Sequence, residues 1–214
     1  MKYDAVIFDL DGVICSTDEY HYLAWKDMAD RSNIPFDRRK NELLRGVSRR
    51  ESLEIILRAD PDREVSEEEK LAWMEEKNNT YRCLLGNMSP KDLPEEVKST
   101  LLALRAAGCR LGIGSSSKNT KYILSQIGLE DFFDAIADGT DIRNSKPDPE
   151  VFVLAAERLG ISPARCLVVE DAQAGVEAAA RGGMDIAAIG DARNHPAHTY
   201  DVEHFSDLLR FVQV

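Results

Sequence analysis

Beyond residue 94 the chain alternates between two hydrophobic rhythms. Apolar positions recur at helical spacing over 95–107, 119–127, 149–159 and 175–181, and short β-type runs fill 110–114, 135–137, 167–170 and 186–189. This alternation predicts a parallel sheet covered by helices. The N-terminal run Ala5-Val6-Ile7-Phe8 is apolar at every position, the pattern of a strand buried on both faces. Residues 18 to about 88 read differently. Trp25, Met28, Leu43, Leu44, Leu53, Ile56 and Leu57 fall at helical spacings among many charges, and no segment there reads as a strand. The stretch 61–66 reads as a loop, and Ser66 three residues before Glu69 has the spacing of a capping box that starts the next helix. The expected organisation is an α/β core, 1–16 and 89–214, with a small helical insertion, 17–88. Because the insertion begins just after Asp11, it is expected to sit over the carboxyl ends of the strands, where open α/β sheets bind ligands, and to act as a mobile lid.

Composition narrows the partners. The 214 residues carry no internal repeat, and their formal net charge of −11 argues against a general nucleic-acid or anionic-membrane surface. A phosphorylated substrate would therefore need a local cationic pocket. Cys15, Cys83, Cys109 and Cys166 are scattered with no CxxC pair, which reads as a reducing compartment without disulfides. No apolar stretch approaches the ~18 residues of a membrane span, and Asp4 and Asp9 interrupt a signal-peptide pattern at the N-terminus. A cytoplasmic protein is expected. With no long apolar stripe left over after core and lid, a monomer is expected too.

Four segments carry candidate chemistry. In Asp9-Leu10-Asp11-Gly12 an apolar strand delivers two carboxylates, two positions apart, to a turn, so that both would leave the same face of the strand. One could attack while the other shuttles a proton; the plainer reading of the segment is a buried strand with an Asp-Gly turn. Ser115-Ser116-Ser117-Lys118-Asn119 follows a strand and opens a helix, which outlines an anion cradle or, more plainly, a serine-rich N-cap. Lys146-Pro147-Asp148-Pro149 places a lysine ahead of a proline-initiated helix, a rigid mount for one cation or a solvated side chain. Glu170-Asp171 closes another apolar strand with adjacent carboxylates, suited to an oxygen-ligated Mg²⁺ or to a capped turn.

In this order, each at a predicted strand end, DLDGV, SSS, KP and ED followed by Gly175 resemble the four motifs of the haloacid dehalogenase-like phosphotransferase superfamily. The likeness extends into the insertion: Thr17 to His21, Trp25 and the run Gly46-Val47-Ser48-Arg49-Arg50-Glu51-Ser52-Leu53 are similar to the lid of its sugar-phosphate mutases. The resemblance implies a doubly wound, Rossmann-like parallel sheet with a helical cap. It also implies an isomerase that interconverts β-glucose 1-phosphate and glucose 6-phosphate through an aspartyl-phosphate and a bound β-glucose 1,6-bisphosphate.

By the same resemblance, Asp9 is the nucleophile and Asp11 the general acid/base. Mg²⁺ is held by the Asp9 carboxylate, the Asp11 carbonyl, Glu170 and Asp171, and Ser115 and Lys146 grip the transferring phosphoryl group. Arg49 with Ser117, Lys118 and Asn119 is expected on the distal phosphate, and Thr17, His21, Trp25, Gly46, Val47 and Ser48 around the sugar. Two other classes stay open: a metal-dependent sugar-phosphate phosphatase, and a silent sugar-phosphate binding protein. His195, His198 and His204 could suggest a metal cluster, but their spacing favours a solvated loop.

Overall fold

The structure, a computed structural model, describes residues 2–44 and 47–213. The chain divides into two compact units, Met1–Ser16 with Ser89–Val214, and Thr17–Met88.

The first unit is built on a parallel sheet of β1 (Ala5–Phe8), β2 (Arg110–Gly114), β3 (Ala135–Ala137), β4 (Cys166–Glu170), β5 (Asp185–Ala188) and β6 (Tyr200–Asp201), in the order β3-β2-β1-β4-β5-β6. All four β1 residues are fully buried, which explains why that strand shows no alternation of apolar and polar positions. Ala5 and Ile7 point into a core shared with α7 (Glu150–Leu159) and α8 (Gln173–Arg181), through Val151, Phe152, Ala155, Val176 and Ala179. Phe8 lies beside Phe205, with ring centroids 6.0 Å apart in a stacked arrangement. Helices α5 (Glu95–Ala106), α6 (Thr120–Gln126) and α9 (Leu208–Gln213) complete the unit.

Register brings the chemistry together. Phe8 pairs with Ile113 on one side and Val169 on the other, so Asp9, one residue on, is level with Gly114 and Glu170. The strand order reverses between β1 and β4, the crevice where such sheets bind ligands at their carboxyl ends. The region 191–204, expected as a solvated loop, is irregular over 195–199 and 202–204, where its three histidines lie, and departs from that expectation at two short elements. It contains part of a 3₁₀ turn, Gly190–Asn194, and the short strand β6, paired through Tyr200↔Ala187 and Asp201↔Ala188. A two-residue strand held by main-chain bonds leaves no hydrophobic period to read.

The second unit is helical among its described residues: α1 (Asp18–Arg31), α2 (Arg38–Glu42), α3 (Arg49–Leu57) and α4 (Glu67–Leu85). Trp25, Met28, Ala29, Leu53, Ile56 and Met74 form its core. The capping box at Ser66 and Glu69 is present, each side chain bonding the other's backbone N–H.

Candidate active site

Strand β1 stops at Phe8, so strand alternation does not present Asp9 and Asp11 together, contrary to the expectation from spacing. A tight turn does. Ile14 and Cys15 N–H both donate to the Leu10 carbonyl, Gly12 N–H donates to the Cys15 carbonyl at 2.8 Å, and Gly12 adopts φ +80°. That left-handed conformation suits glycine. Space also requires it, because a Cβ on Gly12 would fall on the Asp171 carboxylate.

Asp9, Glu170 and Asp171 each offer a carboxylate oxygen, and these oxygens lie within 4.8 Å of one another. Among the described residues this is the one group of three or more His, Cys, Asp or Glu able to hold a metal ion. His195, His198 and His204 form none; His198 instead faces the His195 carbonyl and, at 3.3 Å, Asp201. Lys146 Nζ donates to Asp9 Oδ1 and, at 3.1 Å, to Glu170 Oε2. One ammonium thus bridges two buried carboxyl groups, with the Asp171 carboxylate close by. Burial pushes the Glu170 carboxyl up to about 8, Asp9 and Asp171 push the same way, and Lys146 pulls against them. Burial works against the Lys146 ammonium, but the charges of Asp9 and Glu170 more than reverse that and hold its pKa above the ordinary range. An all-oxygen set of three carboxyl donors fits a hard divalent cation.

At the end of β2, Ser115 is 2 % exposed and its N–H donates to the Ala137 carbonyl. Ser115 Oγ accepts from Ser117 N–H and Ser117 Oγ from Asn119 N–H, both at 3.2 Å, so the loop is wound on its own hydroxyls. Gly139 N–H and Thr120 Oγ1 both donate to the Ser117 carbonyl. The Ser116 hydroxyl is buried without a hydrogen-bond partner. Lys118 is exposed and Asn119 is buried.

The helical unit carries a cluster of its own. Lys77 Nζ lies 2.9 Å from His21 Nδ1, 5.0 Å from the Trp25 ring centroid and 4.5 Å from that of Tyr81. The His21 and Tyr81 rings lie 4.1 Å apart. Burial, then the charges of Lys77 and Arg49, hold the His21 pKa well below its ordinary value. Arg49 donates to Asn78 Oδ1 at 2.8 Å, and burial lowers its pKa. Trp25 belongs to the core of this unit and meets the cluster through its ring. Ser48 caps α3, its Oγ accepting from Glu51 N–H; Val47 is half-buried, Thr17 is buried, and Gly46 lies outside the described residues.

Sequence reasoning missed Lys77. It sits on the buried stripe Met74, Lys77, Tyr81, Leu85 of α4, and a lysine on an otherwise apolar stripe is the signal that could have found it.

A family model described as haloacid dehalogenase-like hydrolase matches residues 3–183, which span the carboxylate centre, the serine loop and Lys146. The chain belongs to the haloacid dehalogenase-like hydrolase family. Within this family it is 42% identical over 205 residues to the beta-phosphoglucomutase of Bacillus subtilis, covering 95% of this chain and 91% of that protein. A phosphorylated carbohydrates phosphatase of Thermotoga maritima is 32% identical over 184 residues, covering 85% and 82%. Among solved structures, a beta-phosphoglucomutase from Clostridium difficile superposes with a TM-score of 0.90 at 37% identity, covering 99% of this chain and 96% of that one. The haloacid dehalogenase-like fold of this chain thus places Asp9, Ser115 and Asp171 each just past the end of a strand, and Glu170 at one.

Proposed function

We propose that this protein is a β-phosphoglucomutase, an isomerase that interconverts β-D-glucose 1-phosphate and D-glucose 6-phosphate. The observation that carries the reading is the second cationic cluster, Lys77 and Arg49 beside His21 in the helical unit, in addition to Lys146 at the carboxylate centre. A hydrolase needs to hold one phosphate; a mutase working through β-glucose 1,6-bisphosphate needs to hold two. The 42% identity to the Bacillus subtilis mutase supports the same choice.

In this reading Asp9 attacks the phosphorus in line and becomes an aspartyl-phosphate, while Asp11 gives a proton to the departing sugar oxygen and later removes one from the hydroxyl that takes the phosphoryl group back. Lys146 and Ser115 hold the transferring oxygens where negative charge builds up, and that electrostatic stabilisation is the main catalytic contribution. Asp9, the Asp11 carbonyl, Glu170 and Asp171 would hold Mg²⁺, which supplies positive charge to offset repulsion between a carboxylate nucleophile and an anionic phosphate. Arg49 offers a planar fork to the distal phosphate, with Ser117, Lys118 and Asn119. Lys77 adds its charge on the side of Arg49, and Thr17, Gly46, Val47, Ser48, His21 and Trp25 complete the sugar site. Residues 17–88 act as the lid that excludes water, so that the phosphoryl group returns to sugar. The enzyme works as a cytoplasmic monomer on a small sugar phosphate; no described helix is long and apolar enough to cross a membrane.

A second reading, a sugar-phosphate phosphatase, is favoured by the Thermotoga maritima relative. One assay separates the two. With β-glucose 1-phosphate, Mg²⁺ and a trace of the bisphosphate, a mutase forms glucose 6-phosphate in large excess over inorganic phosphate. Stoichiometric release of phosphate would make the phosphatase reading correct.

A further inference from the structure

Lys146 sits on a strap that one side chain closes. Glu150, the first residue of α7, turns its carboxylate back along the chain. Its Oε2 accepts two backbone N–H groups, that of Arg143 at 3.0 Å and that of Asn144 at 2.8 Å. Inside this loop Asp148 N–H donates to the Ser145 carbonyl, and Asp148 Oδ1 accepts from Glu150 N–H at 3.0 Å. The segment 143–150 is therefore a ring of hydrogen bonds, with Lys146 in its interior and the Glu150 carboxylate as its clasp. At the other end of the lysine, Nζ reaches Asp9 and Glu170 and lies 4.5 Å from the Phe152 ring centroid, two residues beyond the clasp on the same helix.

We propose that Glu150 is a positioning residue for Lys146: by gripping the two peptide groups upstream of the lysine, it fixes the backbone from which the ammonium reaches the phosphoryl site. Two charge-assisted bonds to a single oxygen tie the strap to a helix packed into the main core, so the lysine is aimed by a rigid element rather than by a free loop. Released from the clasp, residues 143–145 would let the lysine Cα drift, and displacement of a catalytic group by about 1 Å costs on the order of 10²-fold in rate. The inference rests on the role of Lys146 given above.

The test uses the full-length enzyme and whichever phosphate ester the wild type turns over, with Lys146→Ala, Glu150→Ala, Glu150→Gln and Glu157→Ala compared in kcat, KM and thermal midpoint. Glu150→Ala is expected to lower kcat roughly 10- to 100-fold, with less effect on KM. Glu150→Gln keeps a carbonyl oxygen that can accept both N–H groups, and should recover most of the rate. Exposed Glu157, on the same helix, should have no effect. Loss of rate in Lys146→Ala with unchanged kcat in Glu150→Ala overturns the inference and leaves the lysine's role intact. Unchanged activity in Lys146→Ala overturns the underlying role. If Glu150→Ala does not fold, Glu150→Gln decides through the same constants: near-wild-type kcat supports the clasp, and a fall in kcat as large as that of Lys146→Ala overturns it. A fall in thermal midpoint that Glu150→Gln shares, without the kcat split, makes the residue merely structural and also overturns the inference.

Discussion

Lys77 Nζ lies 2.9 Å from His21 Nδ1, inside a cage of aromatic rings. An ammonium has only donors, so at this nitrogen the imidazole accepts, which requires the neutral ring. Burial and the nearby Lys77 and Arg49 charges favour the same form.

That neutrality has a pH signature. The unfolded chain protonates its histidine as pH falls through about 6.5, whereas folded His21 resists until pH is well below that. The stability linked to His21 is therefore fully present above about pH 6.5 and is lost as pH falls below it. Thermal midpoints measured from about pH 8 to about pH 5.5 should fall more steeply for wild type than for His21→Gln. Parallel curves for the two proteins would remove the neutral-histidine assignment.

Asp9→Asn should abolish both labelling of the protein by acetyl phosphate and turnover, because an amide is no nucleophile and the metal centre loses a charged ligand. Label retained from radioactive acetyl phosphate by the purified variant would refute covalent catalysis at Asp9.

Arg49→Ala separates mutase from hydrolase. In the proposed two-phosphate reading it removes charge-assisted bonds worth about 1.5–3 kcal/mol to the distal phosphate, so mutase efficiency should fall at least ~10-fold. Phosphoryl transfer from acetyl phosphate, which has no distal phosphate, should be little changed. Equal losses in the two assays would count against a two-phosphate grip.

Gly175, in the first turn of α8, lies beside the Glu170 carboxylate, and a Cβ there would fall on Glu170 Oε1 and Cδ. Glu170 has little room to retreat, since Oε1 already accepts from Ala172 N–H and Oε2 from Lys146. Gly175→Ala should therefore raise the Mg²⁺ concentration needed for half-maximal activity about 10- to 100-fold. Alanine is the better helix former, so the thermal midpoint should not fall through helix propensity. An unchanged Mg²⁺ dependence would show that Glu170 does not need its present position to bind metal.

The local code of the chain was enough to find the parallel sheet and the four segments at its strand ends. The unbroken apolar run of β1, the glycine after Asp11 and the Ser66 capping box are each decided within a few residues by sterics and short-range hydrogen bonding. The serine loop and the lysine strap were readable as candidates for the same reason. What they assemble into was not readable. Spacing suggested that Asp9 and Asp11 share a strand face, but the strand ends first, and Asp9 meets Glu170 and Asp171 only because β1 and β4 are neighbours across the reversal of strand order. The apolar stripe of α4 marks Lys77 as a lysine out of place, but not its partner: His21 lies 56 residues away in sequence and meets it only through packing. Glu150 reads as an ordinary acidic residue in a first helical turn until the backbone of 143 and 144 is seen to bend back onto it. Local propensity acts over one turn or one strand, whereas charge pairing in the two clusters depends on which segments the hydrophobic cores bring together, and that is a property of the whole fold.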